Sequence, residues 1–132
     1  MNYEALVDVV IALALLEYFV FGTLVGQARG KYNVPAPATS GHPVFDRTFR
    51  VHQNTLEQLI IFVPSMMMFS SFVSAPIAAI LGLAFVIGRA LYFRGYVADA
   101  AKRGTGFLIG ALAQIALLLG SLIGAGMLAL GI

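Results

Sequence analysis

The chain has 132 residues, 60% of them hydrophobic and 11% charged, with no Cys, no Trp and a formal net charge of +2. A spanning helix takes about 20 apolar residues, so four spans fill the length and leave no room for a separate soluble domain. Without Cys there is no disulfide framework, thiolate metal site or cysteine nucleophile, and His42 and His52 lack ligand-spaced acidic or His neighbours, so no metal site is expected.

The start, Met-Asn-Tyr-Glu, lacks the basic stretch of a secretory signal, so the first apolar run reads as a retained span. Helix 1 is expected over about residues 5–28, ending where Arg29-Gly30-Lys31 opens a polar loop with Pro35, Pro37, Gly41 and Pro43. Helix 2 is expected over about residues 44–71 with Pro64 inside it, a kink site that membrane bundles tolerate. Ser74-Ala75-Pro76 reads as a tight turn into helix 3, expected over about residues 76–97. Asp99 to Gly104 forms the next connection, and helix 4 is expected over about residues 105–130. The expected architecture is all-α: one four-helix transmembrane domain over residues 1–132.

All eight Lys and Arg fall around the first and third loops: Arg29, Lys31, Arg47 and Arg50, then Arg89, Arg94, Lys102 and Arg103. The positive-inside bias puts those loops in the cytoplasm and both termini on the opposite side. Basic residues confined to membrane ends do not form the surface stripe of a nucleic-acid binder, so no nucleic-acid partner is expected. On helix 4, Gly106 and Gly110, and then Gly120 and Gly124, are spaced for close backbone approach. Packing within the chain is the plain explanation, and a seam between subunits the alternative.

The polar residues of helix 2 are where function should be read, because charge in a bilayer is costly. With about 100° per residue, Arg47, Arg50, Asn54 and Glu57 lie at about 0°, −60°, −20° and −80°, a narrow stripe. Arg89, Tyr92 and Tyr96 make a second stripe on helix 3, with Arg103 on the same side if the helix continued that far. Two such stripes facing each other enclose a polar cavity. A Glu57–Arg89 ion pair that only orders the bundle is the bland alternative, but Arg outnumbers the acids here. Excess guanidinium suits an external anion, above all a carboxylate. A ligand with several carboxylates fits, and glutathione qualifies; an Arg beside its thiol would stabilise the thiolate. The second substrate would come from the lipid.

Three other polar features have structural explanations beside functional ones. Glu17, mid-way along helix 1, is either a contact to a polar group on another helix or a proton-coupled transport site. His52 reads as a rim or interhelical hydrogen-bonder before a general base. Met66-Met67-Met68 reads as adaptable packing.

Arg47-x-x-Arg50-x-His52-Gln53-Asn54-x-x-Glu57 resembles the second-helix signature of the membrane-associated proteins in eicosanoid and glutathione metabolism. Gly88-Arg89-Ala90-Leu91-Tyr92-Phe93-Arg94-Gly95-Tyr96, followed by Lys102-Arg103, resembles the third-helix segment of that family, nearest to its microsomal glutathione transferases of the third type and leukotriene-forming synthases. Ala28-Arg29-Gly30-Lys31-Tyr32 also matches, and the likeness covers essentially the whole chain.

The resemblance implies a homotrimer binding glutathione between subunits at the cytoplasmic side. Arg50, Asn54, Glu57, Arg89, Tyr92, Tyr96 and Arg103 match contact positions of one subunit, and Arg29 and His52 match positions reaching in from its neighbour. Arg103 would stabilise the thiolate. Gln58 stands where some members have Tyr, and Gly30 where the leukotriene-forming synthases have a second Arg, which sets the leukotriene reaction in doubt. The implied activity is conjugation of hydrophobic electrophiles or reduction of lipid hydroperoxides. Alternatives are a non-catalytic lipid- or ligand-binding member of the family, and a small proton-coupled drug exporter built around Glu17.

Overall fold

The computed structural model describes residues 1–132. Its elements are α1 (Tyr3–Tyr32), α2 (Pro43–Phe72), α3 (Ala75–Ala98), a short 3-10 turn (Ala100–Arg103) and α4 (Gly104–Leu130). All four α-helices are long and apolar enough to cross a membrane. A helix of 30 residues, the length of α1 and of α2, spans about 45 Å against a hydrocarbon core of about 30 Å. The polar starts and ends can therefore project past the lipid.

The helix starts follow their capping chemistry. Asn2 accepts from the Ala5 N–H at 3.1 Å and Ser74 from the Ile77 N–H at 3.4 Å. His42 caps α2 through Nδ1, with Pro43 at the first helical position, where its missing N–H costs nothing. The end of α1 differs from the sequence expectation. Arg29-Gly30-Lys31 continues the helix to Tyr32, since basic side chains suit the negative end of a helix dipole. The stop comes at Asn33, in the left-handed region with φ 55°, a conformation Asn tolerates.

The main core joins Val7, Val10 and Ala14 of α1 to Leu59, Phe62 and Met66 of α2, Ala78 and Phe85 of α3, and Leu117 of α4. Phe62 and Phe85 stack with centroids 3.9 Å apart. Gly106, Gly120 and Gly124 of α4 are spent inside the chain: a Cβ on Gly106 would come within 2.7 Å of the Gly88 carbonyl oxygen, and one on Gly124 within 2.8 Å of that of Phe72. The helix-4 spacing is thus intrachain packing. Only 32 of the 132 residues are buried, because large apolar side chains such as Phe19, Ile60 and Leu122 point outward on every helix, an arrangement suited to lipid and not to water.

Candidate functional site

Around the 3-10 turn, α2, α3 and α4 leave an open cleft of about 480 Å³ lined by Arg50, Asn54, Tyr92, Tyr96, Arg103 and Phe107, with Gly104 at its edge. That volume is in the range of small-molecule sites. Arg50 and Asn54, four apart on α2, share one face, as do Tyr92 and Tyr96 on α3, whose rings stack at 5.5 Å. Arg103 reaches the cleft by a different route from a continued helix 3. The chain leaves α3 at Asp99, whose side chain accepts from the Ala101 N–H at 3.0 Å, and the turn brings Arg103 back over Tyr96, 5.8 Å from the ring centroid.

The acid–base balance of the cleft follows from its pairings. Arg50 Nη1 donates to Glu57 Oε1 at 3.2 Å, and Asn54 Nδ2 donates to Glu57 Oε2 at 3.3 Å. Both members of the ion pair have half-exposed side chains (52% each), so the pair is worth about 0–1 kcal/mol and yields readily to a ligand. This is the only ion pair of the chain, so Arg103 stands without an acid. The cleft carries net positive charge and several N–H and O–H donors, which suits an anion.

Arg89 is placed differently from the helical-phase reading. It is 2% exposed and lies behind the cleft wall. Its Nη2 donates to Thr55 Oγ1 at 2.8 Å, and its guanidinium sits 4.4 Å from the Tyr92 ring centroid. No Glu57–Arg89 ion pair forms; Glu57 belongs to Arg50. Arg89 is a strut beneath Tyr92. Arg47, on the same α2 stripe by phase, donates from Nε to the Val97 carbonyl at 3.1 Å and ties α2 to the end of α3. Glu17 is half-buried, and its Oε1 is shielded without a hydrogen-bond partner.

Arg29 and His52 do not join this cleft within the chain. Arg29 donates to the carbonyls of Ala38 (2.6 Å) and Val34 (3.4 Å) and lies 4.9 Å from the Phe45 ring centroid, pinning the first loop. His52 faces α1, stacked on Tyr18 at 4.4 Å, with Gly22 making room for it. Gln58 accepts from Gln114 Nε2 at 2.9 Å, a link between α2 and α4. Sequence reasoning missed Thr55, Gly104 and Phe107. Phe107 was findable, being one turn after Arg103 and so on its side; Thr55 carried no signal apart from its partner.

Comparison with known proteins places the chain in a family. Residues 7–123 match the family model described as MAPEG family. An uncharacterized protein of Synechocystis is 46% identical over 112 residues, covering 85% of this chain and 82% of its own. Human microsomal glutathione S-transferase 2 is 42% identical over 108 residues, covering 80% of this chain and 74% of its own. Rat leukotriene C4 synthase is 34% identical over 99 residues, covering 75% and 66%. With a family match across nearly all of its length and four helices fit to span a bilayer, the chain belongs to the MAPEG family and is an integral, multi-pass membrane protein.

Proposed function

We propose that the chain is a membrane glutathione transferase that holds glutathione, its co-substrate, in the cleft between α2, α3 and the start of α4. The observation that carries this reading is the meeting of Arg50, Asn54, Tyr92, Tyr96 and Arg103 around one open space, with Arg103 lacking an acid. The transferase and synthase names of its relatives support it. Arg50 and Asn54 suit a ligand carboxylate, and the exposed Glu57 suits its ammonium group. Arg103 suits the sulfur, since a neighbouring guanidinium favours the nucleophilic thiolate. Arg89 acts from behind, holding the Tyr92 ring in the wall.

In conjugation, the thiolate electron pair forms a sulfur–carbon bond while the leaving group departs with the pair of the bond it breaks; the thiol proton passes to water. In peroxide reduction, the thiolate takes one peroxide oxygen and releases the alcohol. A second glutathione then converts the sulfenic acid to disulfide and water. Hydrophobic electrophiles or lipid hydroperoxides reach the cleft from the membrane, past the exposed apolar ring of Phe107.

The reading includes a homotrimer in which Arg29 and His52 of an adjacent subunit close the cleft. The half-exposure of Arg50 and Glu57 in one chain supports a site completed by a neighbour. The basic residues around loops 1 and 3 support a cytoplasmic location for this end. Calorimetry of glutathione binding in detergent, followed by turnover with an aryl halide, tests the reading. Binding and conjugation are expected. Absence of both overturns it, and binding without turnover on any electrophile replaces it with a ligand-presenting role.

A further inference from the structure

A second basic hollow lies on another side of α3. It has a volume of about 380 Å³ and is lined by Leu91, Arg94, Gly95, Ala98, Lys102 and Thr105, among others. On α3, its residues are centred about 130° around the helix from Tyr92 and Tyr96, and the two spaces share no lining residue. Gly95 shapes it, since a Cβ there would collide with the Lys102 carbonyl; its absence lets the turn close against α3, and Lys102 and Arg94 line the same hollow. Neither cation is in an ion pair. The nearest acid in sequence, Asp99, is outside the lining and holds the 3-10 turn through the Ala101 N–H.

We infer that this hollow binds the phosphate of an anionic phospholipid. Arg94 and Lys102 supply two positive charges and Thr105 a hydroxyl, a donor set matched to phosphate oxygens. The hollow sits where α3 ends and α4 begins, the level at which a spanning helix meets headgroups. Toward the membrane interior the same faces carry exposed Ile87 (57%) and Leu91 (41%) on α3, and Leu108 (57%) and Leu112 (58%) on α4. Those residues fall in line with Leu91–Arg94 and with Thr105 by helical phase, so acyl chains can run along them. A basic pocket between spanning helices above an apolar track is the form of a lipid-headgroup site. A free phosphate would use the cations alone and leave the apolar track without a role. The site is separate from the glutathione cleft, and failure of either reading leaves the other standing.

Native mass spectrometry of the full chain in neutral detergent tests this, with phosphatidylglycerol and phosphatidylcholine of identical acyl chains as probes. Phosphatidylglycerol is expected to remain bound preferentially. The double variant Arg94→Gln/Lys102→Gln should weaken its retention about thirtyfold, the loss of about 1 kcal/mol for each basic residue. Lys31→Gln, a basic-end substitution outside the hollow, should leave it unchanged. An unchanged melting temperature in phosphatidylcholine alone keeps the double variant informative; if that variant unfolds, the two single substitutions replace it, each expected to weaken retention about fivefold. Equal retention of both lipids, or of phosphatidylglycerol by wild type and variants, overturns the inference. So does displacement of the lipid by inorganic phosphate at millimolar concentration, which would reassign the hollow to free phosphate.

Discussion

The two flanks of α2 use the same kinds of side chain to opposite ends. Toward α3 and α4, half-exposed Arg50 and Glu57 and the buried Asn54 make long contacts of 3.2–3.3 Å beside open space. Toward α1, His52 is stacked on Tyr18, while Arg29, at the end of α1, makes a 2.6 Å hydrogen bond to the Ala38 carbonyl and fixes the first loop. A polar group whose partners lie in its own chain builds the fold. One left half-satisfied beside a cleft is available to a ligand. On the proposed reading, a single chain contains one half of the site and an adjacent subunit supplies the other.

The sharpest way to break the contrast is to remove the cation that no acid balances. Arg103→Gln should lower kcat/KM for conjugation by about 100- to 1,000-fold, as loss of a charge-stabilising donor does; a loss within threefold would return Arg103 to the surface. Mixing subunits addresses the missing half. If Arg29→Gln and Arg103→Gln each abolish activity, co-assembled equal amounts should regain about a quarter of wild-type turnover, because some interfaces then join two intact halves. No recovery would place both residues in one chain's site.

Smaller effects separate strut from contact. Arg89→Leu should cost about 3 kcal/mol in thermal or denaturant unfolding, since it removes the charged hydrogen bond to Thr55 and the cation packed against the buried Tyr92 ring. Gly106→Ala should cost about 2 kcal/mol by forcing α3 and α4 apart. Thr55→Val, which removes the hydroxyl that accepts from Arg89 and donates to the Val51 carbonyl, each at 2.8 Å, should cost about 1 kcal/mol. If Thr55→Val instead changes the KM for glutathione at unaltered stability, Arg89 is a direct ligand contact.

Much of this arrangement is legible in the sequence because lipid makes its rules strict. Apolar runs give the four helices, and the period of 3.6 brings Arg50 with Asn54 and Tyr92 with Tyr96. Helical phase assigns a side and says nothing of depth. Arg89 therefore looked like a contact one turn from Tyr92, when it lies beneath it on Thr55. Phase also ends where a helix ends: the reach of Arg103 depends on the turn set by Asp99 and on Gly95 admitting the Lys102 backbone. Polarity alone ends α1 near residue 28, where Arg29-Gly30-Lys31 opens a stretch rich in Pro and Gly, whereas the helix runs on past Gly30. With basic residues on both sides at a helix C-terminus, the helix carries through it to Asn33.

In the proposed site Arg103 holds bound glutathione as its thiolate, and ultraviolet difference absorbance reads that thiolate at the sulfur itself. Titrated with glutathione at neutral pH, the wild-type protein should develop the thiolate band. Arg103→Gln, with its helix content and oligomer mass intact, should bind glutathione through Arg50 and Asn54 and develop no band. An equal band in that variant would remove Arg103 from the chemistry of the thiol.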